Sequence, residues 1–424
     1  MTDSHQASSS ALSPTAGPSN PAPARRVQLV GAPPPGPPIP KDDTHSDDDA
    51  DRPEEEDDVD SDDEVAENGV NGGTGADKET EEELVDLLAN FAVGEESLEL
   101  THLSLKTKDL RHLNLPRFSS HLQSICLRQN LISKLSPQDI GSLSKLTELD
   151  LYDNALEKTY GEVLTNGCPD LHTLDYSFNS IRHISHLAQL SKLKTLYFVQ
   201  NKISKVRDTD FEGPIAETLT SLELGGNKLR KIEGLERLTR LEELWLGKNK
   251  IERLENLDPF SSLRILSIQS NRITKLENLD HLTSLEELYV SHNGLKVIEG
   301  LSELKKLRVL DVGGNKIEAI GGLEGLTELE EFWVSGPGRR EGSSPSSQPR
   351  HLLTTVHHQP SLTVQANDNL ISTFQNLEEQ LGPKSCPKLE TIYLEGNPVQ
   401  RKEGSGYRRK IMLTLTQVAQ IDAT

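Results

Sequence analysis

One recurrence restricts the fold of this chain more than any other feature. Asn130, Asn154, Asn179, Asn201, Asn227, Asn249, Asn271, Asn293 and Asn315 each close the same short pattern, and from Asn227 onward every step is 22 residues. The pattern is clearest at Leu241-Glu-Glu-Leu244-Trp-Leu246-Gly-Lys-Asn249-Lys-Ile251-Glu-Arg-Leu254-Glu-Asn-Leu257, or LxxLxLxxNxIxxLxxL. The earlier steps run from 22 to 26 residues. A unit of this size cannot bury its own leucines, so copies must stack into one continuous core.

The spacing also dictates what each unit does. In Leu-x-Leu successive side chains point to opposite faces, so the leucines enter the core and the residue between them faces out. The asparagine supplies both a donor and an acceptor where the strand turns away and backbone groups would otherwise stay unpaired. The later Ile and Leu positions close the core from the opposite side. This is the short form of the leucine-rich repeat. It implies an α/β solenoid of about eleven repeats with a concave parallel sheet, helical caps and a disordered acidic N-terminal tail.

Charge separates the tail from the array. The net charge is −22, yet residues 41–85 alone hold 21 Asp and Glu against three Lys and Arg. Residues 1–80 contain no Phe, Tyr or Trp and include the Pro-rich stretch from Pro33 to Pro40. Such a segment has too little apolar surface to offset the entropy of ordering, about 1–2 kcal/mol per residue. Ser46 and Ser61 each precede an acidic run and resemble sites for acidophilic kinases; a solvated tail is the plainer reading. The acidic balance argues against a nucleic-acid partner, whose phosphates are neutralised by Lys and Arg. Cys126, Cys168 and Cys386 are an odd set without Cys-x-x-Cys spacing, so neither a disulfide framework nor a zinc site is expected. No signal-peptide core or membrane-length apolar run is visible, and residence in the nucleus and cytoplasm is expected.

The ends of the array need covers. Apolar residues at helical spacing over 79–100 predict a capping helix, placing the N-terminal cap and a first irregular repeat at 81–121. Regular repeats fill 122–334. Residues 367–397 hold the last ones, and 398–424 read as a C-terminal cap with a helix and a closing segment. Between them the pattern fails: Asn315 to Asn369 is 54 residues, 32 more than one step. Deleting residues 335–366 joins Phe332-Trp333-Val334 to Asn367-Asp-Asn369-Leu-Ile371 and restores both period and motif. This Gly/Ser/Pro-rich stretch is either a disordered loop tolerated at a strand end, since loop closure grows costly only slowly with length, or an unspliced intron. The restored period favours the second.

Catalytic signatures are missing. Gly225-Gly-Asn-Lys228 and Gly313-Gly-Asn-Lys316 lack the spacing of a phosphate-binding loop and fall on the repeat's turn. Acid pairs such as Glu242-Glu243 fit a solvated face, the histidines show no metal-ligand spacing, and no cofactor is implied. The informative positions are the outward residues between strand leucines: Cys126, Asp150, Asp175, Tyr197, Glu223, Trp245, Ser267, Tyr289, Asp311, Trp333 and Tyr393. Both tryptophans of the chain are among them, and no Lys or Arg is. Aromatics suit exposed strands and can pack across them. A tryptophan on a solvent-facing sheet ringed by carboxylates, however, matches the composition of an interface hot spot.

Several runs are more specific than the bare repeat: Leu149-Asp-Leu-Tyr-Asp-Asn154, Asn201-Lys-Ile-Ser-Lys205, Leu246-Gly-Lys-Asn-Lys-Ile251, Glu287-Leu-Tyr-Val-Ser-His-Asn-Gly294, Glu331-Phe-Trp333, Tyr407-Arg-Arg-Lys-Ile-Met-Leu413 and Gln420-Ile-Asp-Ala-Thr424. On these, residues 98–424 resemble the family of protein phosphatase 1 regulatory subunit 7. The resemblance implies a non-enzymatic subunit that binds the phosphatase 1 catalytic subunit through Asp175, Tyr197, Glu223, Trp245, Asp311, Glu331, Trp333 and Tyr393. It also implies roles in phosphatase assembly and chromosome segregation in mitosis, and a ternary complex with the small inhibitor-3 protein. Tyr197 and Trp245 stand where other aromatics are expected, and the insertion beside Trp333 is a second departure. Arg26-Val-Gln-Leu29 approaches the basic-Val-x-Phe docking motif of other phosphatase regulators but lacks its aromatic. The alternative is an adaptor for another protein, such as a spliceosomal subunit, against which about eleven repeats weigh.

Overall fold

The computed structural model of the chain describes residues 27–28, 88–317, 320–334, 362–366 and 374–422. Its frame is one parallel sheet whose strand order is the order of the sequence. The strands are β1 (Val27–Gln28), β2 (Ser97–Glu99), β3 (Ser124–Cys126), β4 (Glu148–Asp150), β5 (Thr173–Asp175), β6 (Thr195–Tyr197), β7 (Ser221–Glu223) and β8 (Glu243–Trp245). They continue as β9 (Ile265–Ser267), β10 (Glu287–Tyr289), β11 (Val309–Asp311), β12 (Glu331–Trp333), β13 (Leu362–Gln365), β14 (Leu389–Tyr393) and β15 (Gln420–Ile421). Each is short because the leucines on either side of the outward residue are the only positions the core requires. The middle residues pair without a slip from Leu222 through Leu244, Leu266, Leu288 and Leu310 to Phe332. All of these are fully buried.

The asparagine ladder fixes that register. Asn227 Nδ2 donates to Phe198 O at 2.8 Å and Leu224 O at 3.0 Å, while its Oδ1 accepts from the Ile203 N–H at 3.0 Å. One side chain therefore ties its own turn to the preceding repeat. Asn249, Asn271, Asn293 and Asn315 repeat the arrangement. The turn needs a left-handed residue just before each asparagine: Gly226 and Gly314 suit it, but Gln129, Phe178 and Lys248 hold φ of 55°, 57° and 54° without a glycine's freedom. On the far side the longer steps accommodate α1 (Thr107–Leu110), α2 (Pro137–Ile140) and α3 (Gly161–Gly167). The 22-residue steps cross back by turns alone. At the C-terminal end α4 (Phe374–Leu381), α5 (Pro398–Glu403) and α6 (Tyr407–Thr414) lie beside the last strands.

Among the described residues the sheet has fifteen strands, since β1, β2, β13 and β15 pair alongside those of the expected repeats. Two expectations are corrected. The capping helix expected over 79–100 is not the form taken by its described part. Residues 88–96 form turns, and Ser97-Leu98-Glu99-Leu100 alternates as a strand that buries Leu98 and Leu100. Residues 79–87 lie outside the described residues. Finally, the expected insertion ends too late. Leu362, Val364 and Ala366 alternate into the core, which makes 362–366 part of a repeat and not of a loop. Residues 335–361 and 367–373 lie outside the described residues, as do Ser46, Ser61 and all of the 1–80 tail except β1.

Candidate partner-binding face

Register gathers the outward residues into one row across the sheet. Asp150 faces Asp175, then Tyr197, Glu223, Trp245, Ser267, Tyr289, Asp311, Trp333, Gln365 and Tyr393 on successive strands. Every site residue proposed from the pattern lies on this face. Glu331 sits one place back on β12, beside Trp333. In a leucine-rich-repeat solenoid the sheet lines the concave side.

The row has two chemically distinct halves. Toward the N-terminus Asp150, Asp175, Tyr197 and Glu223 line an open hollow of about 410 Å³ together with Tyr152, Phe178 and Val199. Burial pushes the Asp175 carboxyl above its ordinary value, against the pull of the Ser177 hydrogen bonds, with the Asp150 charge adding to the rise. Burial raises Glu223 in the same direction, helped by Asp175 and Glu243. Carboxylates crowded into a partly desolvated hollow are destabilised as anions until a cation meets them.

One cation of the chain already does so. The Arg128 guanidinium pairs with Asp150 and reaches Asp175 at 3.4 Å, while its centre lies 4.6 Å from the Tyr152 ring. Tyr152 in turn meets Phe178 at 4.7 Å between centroids, the ring that the left-handed turn brings to the surface. These three residues were missed by reading only the position between the leucines. They occupy the positions just after the second leucine or at the turn, so the same 22- to 26-residue period could have found them.

Toward the C-terminus the row is aromatic. Trp245 and Tyr289 stack across the small, buried Ser267 with centroids 6.2 Å apart. The Tyr289 hydroxyl donates to Glu287 Oε2 at 2.7 Å, and burial together with that carboxylate pushes its ionisation far up. Gln269 Nε2 donates to Asp311 Oδ2 at 3.3 Å, and the Trp333 indole N–H donates to Glu331 Oε2 at 3.1 Å. Gln420 Nε2 donates to the Tyr393 hydroxyl at 3.3 Å. Tyr289, Trp333 and Tyr393 thus each meet a neighbouring polar group at the ring edge, an arrangement suited to flat apolar contact and to cations above the rings. Cys126, Cys168 and Cys386 are free thiols, and burial pushes Cys168 up to about 12 and Cys386 up to about 11, so neither is an available thiolate. Among the described residues no group of three His, Cys, Asp or Glu converges to hold a metal ion.

Comparison with known proteins agrees with this architecture. The family model described as Leucine Rich repeats (2 copies) matches residues 217–259, 261–303 and 283–325. The protein phosphatase 1 regulatory subunit SDS22 of Saccharomyces cerevisiae is 42% identical over 95 residues, 22% of this chain and 27% of that protein. SDS22 of Schizosaccharomyces pombe is 48% identical over 59 residues, 14% of this chain and 17% of its own length. Protein phosphatase 1 regulatory subunit 7 of Homo sapiens is 49% identical over 55 residues, 13% of this chain and 14% of its own length. The aligned stretches thus span about a quarter or less of these relatives. Among solved structures, an internalin of Listeria monocytogenes superposes with a TM-score of 0.50 at 21% identity, covering 78% of this chain and 87% of the internalin. At that identity the likeness shows the leucine-rich-repeat fold alone.

Proposed function

We propose that this leucine-rich-repeat chain is a regulatory subunit without catalysis of its own, which binds the protein phosphatase 1 catalytic subunit through the acidic and aromatic face of its sheet. The similar proteins are named as regulatory subunits of that phosphatase. The single observation that carries the reading is the row from Asp150 to Tyr393, in which carboxylates and aromatics predominate on one face and no Lys or Arg stands between the strand leucines. Such a row fits a partner surface that offers basic side chains to the hollow and apolar ones to Trp245, Tyr289 and Trp333. Control of phosphatase activity or assembly, a ternary complex with inhibitor-3, a part in mitosis, and residence in nucleus and cytoplasm belong to the same reading and rest on the resemblance.

The test is a pair of variants on β12. Trp333→Ala and Glu331→Ala together remove two outward groups while leaving Phe332, which is fully buried, in the core. Central aromatic anchors contribute about 2–4 kcal/mol, so calorimetric affinity for the catalytic subunit should fall roughly thirty- to a thousand-fold with an unchanged melt. Phe332→Ala is the matched control and should instead lower stability by about 3–5 kcal/mol. Undiminished affinity in the folded double variant would place the partner elsewhere.

A further inference from the structure

The row is interrupted once. β13 stands between β12 and β14, pairing in parallel with both, so that Gln365 separates Trp333 from Tyr393. The segment that supplies β13 is also the one whose removal restores the 22-residue pattern. Two features make that coincidence physical. First, Asn369 stands at the ladder position after Val364-Gln-Ala366, and it takes the same position after Phe332-Trp-Val334 once residues 335–366 are gone. Second, the residue at the same spacing after Val334 in the full sequence is Pro337, a residue type with no side-chain amide to tie one turn to the next. By spacing alone Asn369 can therefore serve as the ladder residue after either Ala366 or Val334.

The core on either side is matched. Phe332 and Val334 of the β12 repeat and Ile392 and Leu394 of the β14 repeat are all buried with the same alternation as Val364 and Ala366 between them. Asn397 closes the next rung, donating through Nδ2 to Ala366 O at 2.6 Å and Leu394 O at 2.9 Å. After excision Val334, which is bonded to Gln365 O now at 2.6 Å, offers the corresponding strand end. The pairing of β13 with β14 also carries a register shift, between Leu362 and Thr363, whereas β11 and β12 pair without one.

We propose that residues 335–366 are a removable one-strand unit, and that the chain without them closes β12 directly on β14, setting Trp333 beside Tyr393 as an uninterrupted aromatic end of the partner-binding face. The consequence for binding rests on the phosphatase reading above; the consequence for register does not. Strands lie about 5 Å apart, so the two positions move from about 10 Å apart to about 5 Å.

The register is tested without a partner. Trp333→Cys and Tyr393→Cys are introduced together into the full chain and into the chain lacking 335–366, each is oxidised, and the link between the two positions is mapped by peptide mass spectrometry. A disulfide needs α-carbons within about 7 Å, so it should form in the shortened chain and not in the full one. The shortened chain with native Trp333 and Tyr393 should melt at or above the temperature of the full chain and bind the phosphatase catalytic subunit at least tenfold more tightly. A link in both chains or in neither, or a lower melt on excision, overturns the removable unit. A link in the shortened chain alone with equal, measurable affinity of both forms overturns its role in binding. If neither form binds, the phosphatase reading fails while the cross-link still decides the register.

Discussion

Removing one rung of the asparagine ladder should cost far more than its single amide suggests. Asn249 is 8% exposed; its Nδ2 donates to Leu224 O at 2.9 Å, Leu246 O at 3.0 Å and Gly247 O at 3.3 Å, and its Oδ1 accepts from the Leu229 N–H at 3.0 Å. Asn249→Ala leaves the Leu229 N–H without this partner in a buried place, a loss of about 1–3 kcal/mol, and forfeits about 1 kcal/mol more in donated bonds. The expected total is about 2–4 kcal/mol. The carbonyls suffer less, because each has a second lone pair. Asn271 makes the same contacts from a partly exposed position where water can replace some of them, so Asn271→Ala should cost less. Asn249→Asp should be worse than either at neutral pH, since it turns a carboxylate toward the carbonyl oxygens of Leu224, Leu246 and Gly247. Burial beside those carbonyls raises the folded-state pKa of the new acid above its unfolded value. Its penalty is therefore greatest at high pH and fades as pH falls toward about 4, the unfolded-state value, below which both states are protonated. Denaturant melts of the three variants between pH 4 and 8 read all of this. If Asn249→Ala stays within about 0.5 kcal/mol of the parent, or Asn249→Asp matches it at pH 7, the ladder is not what holds adjacent repeats in register.

Asp210 is buried, accepts from the Arg207 N–H at 2.8 Å, and is pushed by burial up to about 6. Its raised folded pKa makes it a liability at neutral pH that is relieved as pH falls through about 6 toward about 4; Asp210→Asn should gain about 2–3 kcal/mol at pH 7.5 and flatten that part of the pH–stability curve. Deleting residues 1–77 removes from the described structure only the two-residue β1 at the sheet edge, so chemical melts should show a loss under about 2 kcal/mol, and a larger loss would mean that the tail packs on the array.

What the sequence determined by itself is everything that depends on position within one repeat. The spacing of Leu241, Leu244, Leu246 and Asn249 states which side chains enter the core, which face out and where the turn falls, because strand alternation and the ladder are local rules repeated every 22 residues. The row from Asp150 to Tyr393 was legible for the same reason. The tertiary structure decided what depends on lateral stacking. Arg128 meets Asp175 across 47 residues of sequence, a contact set by the distance between strands and by no spacing in the text. Phe178 joins Tyr152 because a left-handed turn, imposed by the ladder, carries a bulky ring. β2 and β13 were missed because strands of three or four residues are defined by the neighbours they pair with: Leu98–Leu100 sits in a stretch that also fits a helix, and Leu362–Ala366 follows a Pro/Ser-rich run whose composition argues for a loop. Only the edge offered by the adjacent strand, with its unpaired backbone groups and open core, turns those short alternations into members of the sheet.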